Sequence, residues 1–400
     1  MFRKLLRPKS WKILKQSKAS YQNFVLNNTL AQLESQCEQF CPVPRFPPRK
    51  LTVVGAGSDV GRIACLFLKQ QKVINTLAMY DEEPIRNVLG VANDIAHIDT
   101  STAVQVYQGR AFLKDALYDA DVVIICGGSY IQPPCCNTLD RELFFENMKF
   151  VRAMTISIAQ YAPNAIIAVQ TPPVDANFAL VKHTLKEAKE YDKRKLLGVN
   201  SVNAMRANQL FCSMAGCDPS QTQLPVICGT GRCTRVPFSL FYGQSKIECV
   251  TRLLREADDL ICKAKCNYEQ GFLSIGFSTA RLGTNLMKGI FESPAFIDSA
   301  LVDQGDPGKC YGMKTCATPV RVGKRGIIEY MIPELSEYEK ELLEFSKLYI
   351  LFLFRCDLQD MLNLGRCYAL GEQYYLHSCK YYGVPMTECP VVEPCTAKRD

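Results

Sequence analysis

Three glycines and one aspartate are spaced as in a binding site for the phosphates of a dinucleotide. Gly55, Gly57 and Gly61 directly follow the apolar segment Leu51–Val54, and apolar residues recur after them at helical spacing. A strand, a glycine turn and a helix in this order present helix N-terminal amides to a pyrophosphate. Asp81 ends a second apolar segment, where an acid binds the adenosine ribose hydroxyls and repels a 2′-phosphate. The glycine spacing is one residue longer than the usual fingerprint, so the interpretation depends on the strand and the acid as well.

Histidine is the side chain best suited to proton transfer near neutral pH, and it occurs only at positions 97, 183 and 377. We expect His97 to support helix packing, because no second ligand is spaced for a metal site. We expect His183 to lie on a solvated helix face, and His377 lies in the C-terminal tail. The sequence therefore predicts no metal centre.

Alternating strands and helices must position these side chains. The predicted strands are 51–54, 76–80, 103–107, 121–126 and 165–169, and the helices between them include 112–118 and 141–161. This alternation is typical of an α/β unit with a parallel sheet. Beyond Leu197 the pattern changes to a separate α+β half. It contains predicted helices at 203–214, 245–266 and 271–290, short strands at 297–302, 318–322 and 326–331, and a last helix from about Pro333.

The positive charge is concentrated at the N-terminus. The chain carries a net charge of +7, and residues 1–33 contain seven lysines and arginines and no acid. Apolar residues and serines interleave with these cations, as in a transit peptide, and a disordered basic tail is the alternative. Because the rest of the chain is neutral overall, we expect no nucleic-acid-binding surface.

The length of 400 residues and the 48% hydrophobic content allow a large core in two domains with extensions. We predict a transit peptide and N-terminal extension at 1–49, a dinucleotide-binding domain at 50–194, a second domain at 195–358 and a tail at 359–400. The apolar run Leu348–Phe354 is far too short to span a bilayer. Most of the 20 cysteines are expected to be small core residues in a reducing compartment.

Several short segments resemble the malate dehydrogenase family, in its mitochondrial-type branch, and follow one another in the family's order. They are Val53–Ala56, Met79–Asp81, Gly90–Ile98, Ala120–Ile124, Leu197–Val199, Arg206–Asn208, Pro225–Ile227, Lys263–Lys265, Thr318–Val320 and Gly323–Gly326. The resemblance covers about residues 50–358. It implies a Rossmann-type parallel-sheet NAD-binding domain followed by an α+β lactate/malate dehydrogenase C-terminal domain.

The resemblance also places other residues where the family keeps its catalytic pair. In the family a histidine takes the hydroxyl proton of malate while hydride leaves for nicotinamide, and an aspartate orients that histidine. The segment Cys228–Arg232 puts Thr230 at the histidine position, and Val202–Arg206 puts Asn203 at the aspartate position. A threonine hydroxyl does not titrate near neutrality and cannot carry this proton. The two losses agree, because a carboxylate without its imidazole would be a buried unpaired charge.

The substrate contacts implied by the resemblance are altered as well. Pro172 stands where the family's asparagine amide contacts the reacting oxygen. Ile131 and Asp140 stand at the two arginines of the mobile loop, and Arg141 replaces the second if the register shifts by one residue. Arg206 is retained where the family binds a substrate carboxylate in a bidentate manner.

We therefore expect a malate dehydrogenase-family protein that is catalytically impaired or inactive and has a structural or binding role in the mitochondrial matrix. The alternative is an active NAD-dependent malate or other 2-hydroxy acid dehydrogenase with a replacement base. Gly55, Gly61 and Asp81 favour NAD binding, whereas Ser58, at the family's middle glycine, is expected to crowd a pyrophosphate. The expected partners are a second copy of the chain, or an active paralogue, and a small dicarboxylate.

Overall fold

The computed structural model describes residues 49–83, 86–130, 140–238, 244–266, 270–306 and 311–355. The predicted transit peptide, apart from Arg49, lies outside the described residues. The predicted tail, Ile131, His377 and the side chain of Arg141 also lie outside them.

The first half of the chain alternates between strands and helices, as predicted. Its elements are β1 (Lys50–Val54), α1 (Asp59–Leu68), β2 (Thr76–Asp81), α2 (Val88–Ala96), β3 (Ala103–Gln108), a 3-10 turn (Arg110–Phe112), α3 (Leu113–Leu117), β4 (Val122–Ile125), α4 (Asp140–Tyr161), β5 (Ile166–Val169), α5 (Val174–Glu187) and β6 (Leu196–Val199). All six strands pair in parallel, in the order β3-β2-β1-β4-β5-β6. The predicted α/β class and Rossmann-type sheet are confirmed.

The second half consists of longer helices and antiparallel strands. Its elements are α6 (Ser201–Ala215), β7 (Val226–Cys228), a 3-10 turn (Arg232–Thr234), β8 (Arg235–Pro237), α7 (Gln244–Ala264), α8 (Phe272–Phe291), β9 (Ala295–Asp303), β10 (Thr315–Gly323), β11 (Gly326–Tyr330) and α9 (Glu337–Arg355). The three-residue strands β7 and β8 are absent from the sequence prediction, because runs this short carry no periodicity.

The late strands join the parallel sheet rather than forming a separate one. Strand β9 pairs antiparallel with β6, with Gly198 opposite Leu301, and the order continues as β9-β10-β7-β8, with β11 on β10. A β-carbon at Gly198 would lie 2.9 Å from the Leu301 Cβ, so the glycine permits this close approach. The chain thus builds one 11-stranded sheet.

Both faces of the parallel sheet are buried. In β4, Val122 and Ile124 belong to one core cluster, whereas Val123 and Ile125 belong to the other. This alternation follows from the two-residue period of a strand, and each fully buried Val or Ile contributes about 1.5–3 kcal/mol. The loops after β1, β2 and β4 meet at the carboxyl edge of this sheet.

Cys65, Cys126 and Cys212 are free and buried, which agrees with the core role predicted for most cysteines. Cys262 and Cys316 are different, because each forms a disulfide bond. In the part of the chain that the structure describes, no helix is long and apolar enough to cross a membrane.

Candidate cofactor and substrate sites

The glycine turn after β1 is fixed by close backbone packing. Gly55 has a φ of +88°, and a β-carbon there would lie 2.1 Å from the Gly127 Cα. A β-carbon at Gly61 would lie 2.2 Å from the carbonyl oxygen of Gly55. Neither position accommodates a side chain, so both glycines are required by the fold whether or not a dinucleotide binds.

Ser58 does not point toward the space that a pyrophosphate would need. Its side chain is buried and caps α1: the Oγ donates to the Gly55 carbonyl oxygen at 2.7 Å and accepts from the Gly61 amide at 3.0 Å. The expected crowding by Ser58 is therefore wrong, because the side chain is used as a helix cap. The unfavourable group is Asp59, whose exposed carboxylate lies in the first turn of α1 and pairs with Arg62 at 3.0 Å. It would repel a phosphate there.

Asp81 lies at the end of β2, as the dinucleotide interpretation requires. Its Oδ2 accepts from the Gly57 amide at 3.0 Å, and its Oδ1 accepts from the Glu83 amide at 3.2 Å. Burial raises the pKa of this carboxyl group, and the charge of Arg86 and the two amide hydrogen bonds oppose the rise. An ionised carboxylate offers about four acceptor positions, so two remain for ribose hydroxyls.

Arg86 joins the loops that follow β2 and β4, which sequence reasoning missed. Its Nη2 donates to the Gly128 carbonyl oxygen at 2.9 Å, and its Nε lies 3.4 Å from a Glu83 carboxylate oxygen. A β-carbon at Gly57 would lie 2.8 Å from the Arg86 Cβ. The turn and Asp81 fit a dinucleotide, but Arg86 packs against the turn and ties it to the neighbouring loop.

Thr230 is hydrogen-bonded to a carboxylate that sequence reasoning did not assign to the site. Its Oγ1 donates to Asp175 Oδ2 at 2.9 Å, and its amide and that of Gly231 donate to the same carboxylate at 3.1 and 3.2 Å. Asp175 is buried in the first turn of α5, where the helix N-terminus favours an acid. The hydroxyl proton of Thr230 is thus directed at Asp175.

Asn203 lies beside Thr230. Its Nδ2 donates to the Thr230 carbonyl oxygen at 3.1 Å and to Asn200 Oδ1 at 2.6 Å. Its own Oδ1 is buried and has no hydrogen-bond partner within the described ranges. The two residues that the resemblance placed at the catalytic positions are therefore neighbours, and neither titrates near neutral pH.

Arg206 is already paired with an internal carboxylate. The guanidinium is 9% exposed, and its Nη1 lies 2.5 Å from Asp258 Oδ1. Arg235 holds the other oxygen of Asp258 at 2.6 Å and donates through its Nε to the Thr230 carbonyl oxygen at 3.2 Å. Burial raises the pKa of Asp258, but the charges of Arg235 and Arg206 outweigh burial and hold that pKa well below its usual range. Sequence reasoning missed Asp258, because an acid within a charged helix carries no motif.

Pro172, at the position of the family's asparagine, offers no side-chain donor to a ligand. Pro172 precedes Pro173 in a cis peptide bond, and its carbonyl oxygen accepts from Asn147 Nδ2 at 2.7 Å and from Asn177 Nδ2 at 3.0 Å. Asp140 and Arg141 lie in the first turn of α4, and their side chains are outside the described atoms.

Comparison with known proteins agrees with the observed fold and with the glycine turn after β1. Residues 49–198 match the lactate/malate dehydrogenase NAD-binding domain. Malate dehydrogenase of Photorhabdus laumondii is 32% identical over 303 residues, covering 74% of this chain and 94% of that protein. The mitochondrial malate dehydrogenase of Homo sapiens is 29% identical over 301 residues, covering 74% and 86%.

Solved structures share the fold. Lactate dehydrogenase from Eimeria maxima with NADH and oxamate superimposes with a TM-score of 0.66 at 20% identity, covering 82% of this chain and 98% of that one. The apo malate dehydrogenase of Picrophilus torridus gives 0.65 at 18% identity, with the same coverage. The protein is thus an α/β protein of the lactate/malate dehydrogenase type, with the NAD-binding domain of that type. Its similarity to the Photorhabdus enzyme over most of both chains shows more: it belongs to the malate dehydrogenase family.

Replacing Asp258 by asparagine is expected to destabilise the protein by about 3 kcal/mol at pH 7, because two largely buried guanidinium groups lose their shared counter-ion. The folded-state pKa of Asp258 is depressed, so its contribution to stability is complete above the unfolded pKa of about 4 and is lost as the pH falls below it. Denaturant unfolding of wild type and Asp258→Asn between pH 3 and pH 8 should therefore show a difference that is constant above about pH 5 and shrinks in acid.

Asp259→Asn is the matched control. Asp259 pairs with Arg232, which is 39% exposed, so its loss should cost less than about 1 kcal/mol. Equal effects of the two substitutions, or a difference that grows in acid, would contradict the role of Asp258 as a shared counter-ion.

Proposed function

We propose that this chain is a malate dehydrogenase-family protein that binds NAD and has lost the family's reaction, the conversion of (S)-malate and NAD+ to oxaloacetate, NADH and a proton. Its role is then structural, or that of a binding protein. The observation that carries the proposal is the hydrogen bond from the Thr230 hydroxyl to the buried Asp175 carboxylate, at the position where the resemblance expects a base.

Proton transfer is the first step that we expect to be slowed. Oxidation of a 2-hydroxy acid requires a group that accepts the hydroxyl proton, and Thr230 already directs its own proton at Asp175. Asn203 cannot orient or stabilise a cation as a carboxylate does. Loss of a positioned general base costs about 10²- to 10⁴-fold in rate.

Substrate binding is the second step that suffers. Arg206 is the carboxylate-binding arginine implied by the resemblance, and Asp258 occupies it in a short ion pair. A dicarboxylate must break this pair or bind beside it. Because Asp258 already neutralises Arg206, a substrate carboxylate gains less there than at an arginine without a counter-ion, and productive malate binding is weakened. A small dicarboxylate therefore remains only a weak candidate ligand.

NAD binding is supported separately, by the NAD-binding domain match, the glycine turn and Asp81. When bound, NAD supplies the hydride acceptor. Asp81 would hold the adenosine ribose, and the amides at the start of α1 would receive the pyrophosphate, against the charge of Asp59. Arg86 would have to leave Gly128 for the two loops to separate.

We predict that Arg86→Ala binds NAD about 5- to 10-fold more tightly than wild type, because the cofactor no longer has to break a hydrogen bond worth about 1 kcal/mol. Isothermal titration with NAD and NADH measures the change directly. Arg194→Ala is the control, since Arg194 is an exposed arginine paired with Asp192. Weaker binding by Arg86→Ala would mean that Arg86 contacts the cofactor instead of closing its groove.

A working dehydrogenase with a replacement base is the second candidate, and the contact of Asp175 with Thr230 favours it specifically. A carboxylate can serve as a general base when it reaches the substrate hydroxyl. Asp175, however, must first release at least one of the donors from Thr230 and Gly231.

We expect the purified wild-type protein to turn over oxaloacetate with NADH at least about 10³-fold more slowly than an ordinary dehydrogenase, when absorbance of NADH is followed. Thr230→His with Asn203→Asp should restore little activity while Asp258 still occupies Arg206. Turnover at an ordinary rate that disappears in Asp175→Asn would overturn the proposal and establish the replacement base.

A second copy of the chain is the partner that we propose for the outer face of α1 and α8. Leu66, Leu273 and Phe277 are exposed there, and the two helices meet through an edge-to-face contact of Phe67 with Phe277. Clustered exposed apolar side chains of this kind mark protein interfaces. A closely related active enzyme could occupy the same face.

Leu273→Glu should convert the dimer to a monomer in sedimentation velocity runs at micromolar concentration, because a charge would be buried in the interface. Ile328→Glu, at an exposed apolar residue of strand β11 outside helices α1 and α8, should leave the sedimentation coefficient unchanged. A wild-type protein that sediments as a monomer contradicts self-association, and co-purification with a malate dehydrogenase would then favour the mixed pair.

We place the protein in the mitochondrial matrix, on the basis of the acid-free basic N-terminus. The relatives also include a glyoxysomal enzyme. Fusion of residues 1–49 to a fluorescent protein tests this localisation. A fusion that fails to enter mitochondria would contradict the proposed localisation.

A further inference from the structure

Two cysteines meet at the C-terminal end of α6. Cys212 lies in the last turn of the helix, and Cys217 follows the left-handed Gly216, whose φ is +70°. The amides of Gly216 and Cys217 both donate to the Cys212 carbonyl oxygen, at 2.9 and 3.2 Å. This arrangement brings the side chains before and after the glycine into contact.

The contact between the two sulfur atoms is unusually short for free thiols. Cys217 Sγ donates to Cys212 Sγ at 2.8 Å, which is within about 1 Å of a covalent sulfur–sulfur bond. Both cysteines are free, and the backbone that joins them is already folded back by Gly216. A covalent bond therefore needs a small movement of two side chains and no rearrangement of the helix.

The two thiols differ in access to solvent. Cys217 is partly exposed, whereas Cys212 is buried. Removal from water raises the pKa of the Cys212 thiol. Cys217 can therefore react with a reagent from solvent, and Cys212 can then react with the mixed disulfide on Cys217. By contrast, Cys65 and Cys126 are both completely buried, so no reagent reaches either.

We propose that Cys212 and Cys217 are a redox modification site, which a small-molecule disulfide such as glutathione disulfide converts to an intramolecular disulfide. The Cys217 thiolate attacks one sulfur of the reagent, forms a mixed disulfide and releases one thiolate. The Cys212 thiolate then attacks the Cys217 sulfur of the mixed disulfide and releases the second thiolate. The two protons lost by the cysteines end on the two released thiols, so the protein loses two hydrogens and the reagent is reduced.

The bond would fasten the end of the helix that also carries Asn203 and Arg206. Cys212 packs in one core cluster with Leu224 and Val226, which lead into Thr230 through β7, and Cys217 packs against it. Oxidation would therefore fix the helix end against this cluster. The inference is independent of whether the chain has dehydrogenase activity.

The test uses the full chain, which is reduced, freed of reductant and equilibrated with glutathione disulfide. The chain is then unfolded in denaturant that contains N-ethylmaleimide, because Cys212 and Cys228 are buried in the folded protein. Trypsin releases residues 207–232, a peptide that contains Cys212, Cys217 and Cys228. We expect this peptide to carry one maleimide and to be about 2 Da lighter than the same singly labelled peptide with two free thiols. The bond should also suppress backbone fragments between Cys212 and Cys217. Reduction before blocking should restore three maleimides.

Cys217→Ser and Cys212→Ser should each abolish the mass loss, and Cys266→Ser, which removes an exposed free thiol, should leave it unchanged. Three maleimides on the oxidised wild-type peptide would overturn the proposal. Glutathione retained on Cys217, or a bond to Cys228 that persists in Cys217→Ser, would overturn it as well.

Discussion

Asp258 bridges Arg206 and Arg235, and this bridge determines the charge of the candidate substrate site. Two guanidinium groups that are more than nine-tenths buried need a counter-ion, and this chain supplies one from α7. The ion pairs neutralise the charge of both arginines without any ligand, and among the described residues the buried Nε of Arg206 has no hydrogen-bond partner. A dicarboxylate would therefore bind beside cations that are already neutralised. An arginine without a counter-ion would instead form a full charge-assisted pair with it.

The bridge is also connected to the second internal carboxylate. The Thr230 carbonyl oxygen accepts from Arg235 and from Asn203, and the Thr230 hydroxyl and amide donate to Asp175. The loop after β7 is thus held by hydrogen bonds from both sides. Hydrogen bonds in such networks stabilise one another, so changing one member alters the positions of the rest. A substitution at Thr230 would therefore also change the hydrogen bonds of Asp175 and Asn203.

Local sequence patterns predicted the parallel sheet, the glycine turn and Asp81, because these features depend on residues close to one another in the chain. They could not predict contacts between distant segments. Arg206 and Asp258 are separated by 52 positions, and Arg86 reaches a carbonyl group 42 positions away. The orientation of Ser58 was missed for a related reason: its hydroxyl is directed inward by the carbonyl oxygen of Cys126, on a different strand loop. The resemblance, in contrast, correctly paired Thr230 with Asn203 in space, since it transfers a fold and not only a local pattern.

The cofactor part and the substrate part of the candidate site therefore differ in whether backbone or side chains form them. The cofactor half consists mainly of backbone, and the 2.1 Å and 2.2 Å approaches at Gly55 and Gly61 mean that the fold itself requires its glycines. The substrate half consists of side chains, which can change without moving the backbone. Structural similarity to dehydrogenases thus argues strongly for the shape of the dinucleotide turn and only weakly for the reaction. A chain that keeps the backbone turn and places its own carboxylates beside Arg206 and Thr230 is a consistent physical outcome, because side chains can change without altering the sheet that joins the two halves.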